Sequence, residues 1–121
     1  MTKYEHKNPG NGISVPCLHT DLTGSVDSPT RKELTEEIYG ILDRDGALLM
    51  RDTGLETTSG FSEFLSSIGY HHHSYVGGAS PRTDQGRGVY TATDIPADVN
   101  ILIHQEMAYL DSVPDYISFF C

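Results

Sequence analysis

Basic residues are scarce in this chain: 8 Lys and Arg stand against 17 Asp and Glu, a net charge of -9 over 121 residues. Nucleic acid and anionic membrane both need a positive patch, so neither is expected as a partner. No apolar run approaches the ~18 residues of a membrane-spanning helix. The opening residues Met1 to Asn8 lack the apolar core of a signal peptide, so a cytoplasmic location is expected. Cysteine is limited to Cys17 and Cys121, in no CxxC or zinc-finger spacing, and reduced thiols are expected rather than a disulfide. Neither phosphate-cradling glycine motif is present, so the glycine-rich stretch from Gly77 to Gly88 reads as a flexible connection. No internal repeat is visible, and the length allows one domain at most.

What is present falls into two parts, an N-terminal arm over residues 1–28 and a domain-like portion over 29–121. The arm is rich in Gly, Asn, Ser, Thr and Pro. Its one apolar patch, Ile13 to Leu18, is expected to form at most an edge strand, because Pro16 removes a ladder donor. His6 and His19 read there as solvated loop side chains.

Ser28-Pro29 then gives a helix start, a cap followed by a residue suited to the first turn. Leu34, Ile38, Ile41 and Leu42 form the stripe of an amphipathic helix. The run from Ala47 to Met50 predicts a short buried strand. Phe61, Phe64, Leu65 and Ile68 predict a second helix stopped by Gly69. Further strands are expected at Val89–Thr93 and Tyr116–Cys121.

The chemistry concentrates in Asn100-Ile101-Leu102-Ile103-His104-Gln105-Glu106-Met107-Ala108-Tyr109. β-Branched Ile101 and Ile103 favour an extended backbone, so this stretch is expected to be a strand. In a strand the side-chain period is two, which puts His104 and Glu106 on one face and Gln105 on the other. On a helix the same pair would sit about 200° apart and could not share an ion. One imidazole and one carboxylate side by side make two thirds of the 2-His-1-carboxylate set of non-haem Fe(II). A different reading keeps the site local, with His71 or His73 as third ligand and zinc as suitable as iron.

Val89-Tyr90-Thr91-Ala92-Thr93, His104-Gln105-Glu106-Met107-Ala108-Tyr109, Pro114 and Ile117-Ser118-Phe119-Phe120-Cys121 together resemble the TauD/TfdA family of Fe(II)- and 2-oxoglutarate-dependent dioxygenases. The leading helix, the strand at residues 46–51 and Tyr75-Val76-Gly77-Gly78 fit the same family. The resemblance implies an α+β fold, a double-stranded β-helix (jelly roll) with N-terminal helices. It implies Fe(II) as cofactor and 2-oxoglutarate as cosubstrate. Decarboxylation of the cosubstrate to succinate and CO2 would be coupled to hydroxylation of a small molecule. His104 and Glu106 would be iron ligands, with Glu matching the branch similar to clavaminate synthase. Resemblance to taurine dioxygenase adds His72, Tyr75 and Asn100 as substrate-binding residues.

The family's pattern also calls for a distal His and a 2-oxoglutarate-binding Arg more than a hundred residues later. Fifteen residues follow Glu106, and none is His or Arg. The expectation is therefore an incomplete domain, a partial jelly roll that is inactive alone or completed by a second chain. The competing expectation is a vestigial, non-catalytic domain that binds a partner through an exposed strand at Tyr116–Phe120.

Overall fold

The computed structural model describes residues 3–8, 10, 12–23, 28–71, 81–92, 95–105, 107–109, 111 and 113–121. Its elements run β1 (Lys3–Lys7), β2 (Val15–His19), α1 (Ser28–Asp45), β3 (Leu49–Arg51), α2 (Thr58–Ser67), β4 (Asp84–Gly86) and β5 (Val89–Tyr90). This is mixed α/β content, with the first three strands in a sheet of order β1-β2-β3 and the last two in a hairpin.

The arm is more structured than its composition suggests. β1 and β2 pair antiparallel, with Glu5 opposite Cys17 and His6 opposite Pro16. β2 and β3 pair parallel, with Cys17 opposite Leu49 and His19 opposite Arg51. The strand holding Pro16 is therefore central, contrary to the edge position expected. The reason lies in the alternation of backbone direction. Thr20 N donates to Arg51 O at 3.1 Å, so every second residue of β2 aims its N–H toward β3. Pro16 shares that parity but precedes Cys17, where pairing with β3 begins, so its missing donor costs no ladder bond.

The two helices follow the periodicity of the sequence. α1 carries Pro29 in its first turn and buries Leu34, Ile38 and Ile41. The capping role expected of the Ser28 side chain falls outside the described residues. Gly46, at φ 75°, ends the helix, its N–H donating to Leu42 O at 2.8 Å. α2 is capped by Thr57, whose hydroxyl accepts from Gly60 N at 3.1 Å. It ends in a Schellman arrangement: Gly69 N bonds Ser66 O at 3.1 Å and Tyr70 N bonds Leu65 O at 3.0 Å.

Leu18 of β2 is the centre of the core, fully buried among Leu34 and Ile38 of α1 and Phe64, Leu65 and Ile68 at α2. Each such side chain contributes about 1.5–3 kcal/mol on burial. Both helices thus cover the Leu18 face of the sheet. Cys17 and His19, alternating with Leu18, point to the opposite face.

Part of the glycine-rich stretch lies in a hairpin rather than a flexible connection. β4 and β5 form a hairpin whose turn residues Arg87 and Gly88 have φ of 54° and 78°, the backbone a tight two-residue turn demands. The hairpin sits on α2, where Ser62 Oγ donates to Arg87 O at 2.9 Å and Arg87 pairs with Glu63 at 2.6 Å.

Two expected strands are not formed. Residues 101–105 are irregular and 107–109 make a turn. Residues 116–121 are also irregular. A strand needs a ladder partner, and among the described residues neither segment has one. The last segment instead lies across the helices: Tyr70 donates to Tyr116 O at 2.8 Å, Tyr116 donates to Asp43 at 3.2 Å, and Phe120 stacks on Phe61.

Candidate functional site

His104 and Asn100 are both exposed, on the irregular segment that leads into the turn at Met107. Glu106, His72, His73 and Tyr75 lie outside the described residues. His71 is described and exposed. The His104 ring is held by its own backbone: Nδ1 lies 2.8 Å from Leu102 O. A carbonyl only accepts, so Nδ1 is the donor in this contact. Metal-ligating histidines commonly have one ring nitrogen fixed in this way by a carbonyl. The donor chemistry at His104 fits a metal such as Fe(II).

Met107 anchors this segment. It is buried, and its φ of 54° is unusual for a side chain of this size. It lines a cleft of about 400 Å³ together with Phe61, Tyr70, Arg82, Tyr90 and Phe120. The cleft is mostly apolar, with a guanidinium and the three phenols of Tyr70, Tyr90 and Tyr116 at its walls, a composition suited to a small polar molecule. The residues just before His104 have the opposite environment: Leu102 is 82% exposed and Ile103 fully so.

A second group of donors was not anticipated from the sequence. Glu5, Cys17 and His19 bring one ligand atom each to within 4.8 Å of one another. His19 Nε2 stands 2.8 Å from Glu5 Oε1 and 3.5 Å from Cys17 Sγ, and Nδ1 stands 2.5 Å from Asp52 Oδ2. His19 is thus half-buried between two carboxylates, not a solvated loop side chain. Its pKa is raised by the hydrogen bond to Asp52 and then by that to Glu5. Cys17 and Cys121 are both free thiols, as expected, the first buried and the second exposed. The signal available in the sequence was Cys17-x-His19, the same sequence spacing as His104-x-Glu106. It was obscured because the register placing Glu5 beside them depends on a hairpin read as an arm.

A sequence model of the taurine catabolism dioxygenase TauD, TfdA family matches residues 15–121. The chain belongs to the TauD/TfdA family. Among the relatives of this family member, a clavaminate synthase-like protein of Arabidopsis thaliana is 31% identical over 113 residues, covering 93% of this chain and 33% of the relative. The dapdiamide synthesis protein DdaC of Enterobacter agglomerans is 34% identical over 80 residues, covering 66% of this chain and 24% of the relative. The chain spans about a third or less of the curated relatives it matches. No solved structure matches it. The resemblance drawn from the His104 segment and its neighbours is borne out at the level of the family. No helix among the described residues is long and apolar enough to cross a membrane.

Proposed function

We propose that this chain is the N-terminal portion of a non-haem Fe(II)- and 2-oxoglutarate-dependent dioxygenase that hydroxylates a small molecule. His104 and Glu106 would hold the iron. Asn100, His72 and Tyr75 would contact substrate. The observation that carries the reading is the Nδ1–Leu102 O bond, which would orient the His104 ring for ligation through Nε2, within the His-x-Glu sequence of a TauD/TfdA family member. Bound Fe(II) and 2-oxoglutarate would supply the oxidising power for C–H hydroxylation.

The chain's own residues would position and shield. Met107 and the aromatic walls of the cleft would pack against one side of a bound small molecule, and Arg82 stands in the same wall. The third iron ligand and the cosubstrate clamp would come from polypeptide outside these 121 residues, on the same or a second chain. Exposed Ile101, Leu102 and Ile103 support this, because an exposed apolar segment would gain a ladder and a cover when further strands join it. Once joined, residues 101–106 would become a strand of a jelly roll.

The test is anaerobic Fe(II) titration with and without 2-oxoglutarate, of this chain alone and after addition of a relative's remaining domain portion. A visible metal-to-ligand charge-transfer band in the reconstituted protein, lost in His104→Ala and in Glu106→Ala, is expected. Loss should exceed the ~10–100-fold typical of an outer-shell partner. A band that persists in both variants overturns the assignment. Exposed Ile117 and Phe119 favour a second reading, a non-catalytic module that docks a partner through its last residues. Reconstitution without any iron dependence would favour it.

A further inference from the structure

The Glu5, Cys17 and His19 cluster lies on the opposite face of the sheet from the helices, on strands β1 and β2, and the dioxygenase reading makes no use of it. We propose that it is a zinc site, with Cys17 Sγ, His19 Nε2 and Glu5 Oε1 as ligands and Asp52 as the carboxylate that orients the ring. Four observations carry the assignment.

The donor set comes first. A thiolate, an imidazole and a carboxylate are the ligand types zinc takes, and a buried thiolate beside imidazole selects it over calcium or magnesium. Second, the spacing matches. With Zn–S of about 2.3 Å and Zn–N of about 2.0–2.1 Å at a tetrahedral angle, sulfur and nitrogen stand about 3.5 Å apart. Cys17 Sγ and His19 Nε2 are 3.5 Å apart. The Glu5 oxygen, at 2.8 Å from Nε2, must retreat by about half an ångström to leave a proton's place to a metal.

Third, Asp52 bonds Nδ1 from the far side of the ring at 2.5 Å, completing the carboxylate–histidine–metal relay that fixes tautomer and orientation in zinc sites. Fourth, the backbone already holds the ligands in place. Glu5 is the direct cross-strand partner of Cys17, His19 follows at the same-face position, and Arg51, the residue before Asp52, is paired with His19. Strand register therefore brings these residues side by side before any ion arrives. A fourth position, toward solvent, is left to water. Metal entry would release the Cys17 thiol proton and draw Glu5 away from Lys7, whose ammonium sits 2.7 Å from the same oxygen. Its effect would be to staple β1 to β2.

Cobalt(II) titration of the full chain tests this, with zinc competition as the second arm. A thiolate-to-cobalt charge-transfer band is expected in the near ultraviolet, removed stoichiometrically by zinc. Cys17→Ser should abolish the band, while Cys121→Ser and the His104→Ala/Glu106→Ala pair should keep it, which separates this site from the iron site. Asp52→Asn should weaken binding by about 10–100-fold with the band intact. Lys7→Met should strengthen it, an effect that a metal-free ion-pair network cannot produce. Because Cys17 is fully buried, Glu5→Gln provides the variant least exposed to folding failure, and it should lower zinc affinity with far-ultraviolet circular dichroism unchanged. No band, a band that survives Cys17→Ser, or affinity indifferent to both Glu5 and Asp52 overturns the proposal, leaving His19 as a hydrogen-bonded link between two carboxylates.

Discussion

Phe120 stacks on Phe61, with ring centroids 5.2 Å apart and planes 15° apart. Together with the Tyr116 contacts to α1, this ties the end of the chain to the helical layer. Phe120→Ala should destabilise the fold by about 1–2 kcal/mol, less than a full core deletion because both rings are only half-buried. Urea unfolding followed by circular dichroism reads the change as a lower midpoint. Phe119→Ala, removing a side chain that is 70% exposed, should leave the midpoint nearly unchanged.

Leu18→Ala should cost about 2–5 kcal/mol, since the side chain is fully buried and contacts both helical partners of the core. The same denaturation experiment applies. A cost under about 1 kcal/mol would mean that the helices do not pack on β2 as described.

Gly54 is at φ 67°, and a Cβ there would run into Thr23 Cγ2. Gly54→Ala combines left-handed strain with a clash, so it should destabilise by about 2 kcal/mol or more. Gly69→Ala supplies the comparison: φ is 81° but nothing lies within 4 Å of an added Cβ, and a cost of about 1 kcal/mol is expected. Thermal melting of the two variants should rank them in that order.

Asp21 accepts from Thr23 Oγ1 at 2.6 Å and from Thr23 N at 2.8 Å. The hydroxyl and then the amide lower its pKa below the ordinary carboxylate value. The folded state therefore binds this proton more weakly than the unfolded chain. Its contribution to stability is present above the unfolded pKa, near ~4, and is lost as pH falls through the lower folded value. An NMR titration of the Asp21 carboxyl should show the depressed midpoint, and Thr23→Ala should move it back up.

How much was legible in the sequence depended on where each element finds its hydrogen bonds. α1 and α2 satisfy their own backbones, so Leu34, Ile38, Ile41 and the Phe61–Ile68 face announced them, and Gly69 announced the stop. Strands need partners, and pattern alone does not reveal which are present. Ile101 and Ile103 carry strand propensity but have no ladder among the described residues, so the segment stays irregular. Pro16 misled in the other direction, because its position relative to the start of β3 decides whether a missing donor matters. The Glu5, Cys17, His19 and Asp52 group was hidden for the same reason: its members are scattered from residue 5 to residue 52 and meet only through strand register.

The mixed sheet also sets an order of assembly. β1 and β2 are joined by a short connection and pair locally, an event on the order of microseconds. β3 reaches β2 only after the chain has passed through the 18 residues of α1, so that parallel edge closes a much longer loop. Leu18 faces α1 as well as belonging to the hairpin, so docking of the helix is what carries Leu49 to Arg51 into register. The hairpin edge should thus gain amide protection early in refolding and the β2–β3 edge late, with arrival of Asp52 at His19 marking the last of the three strands to take its place.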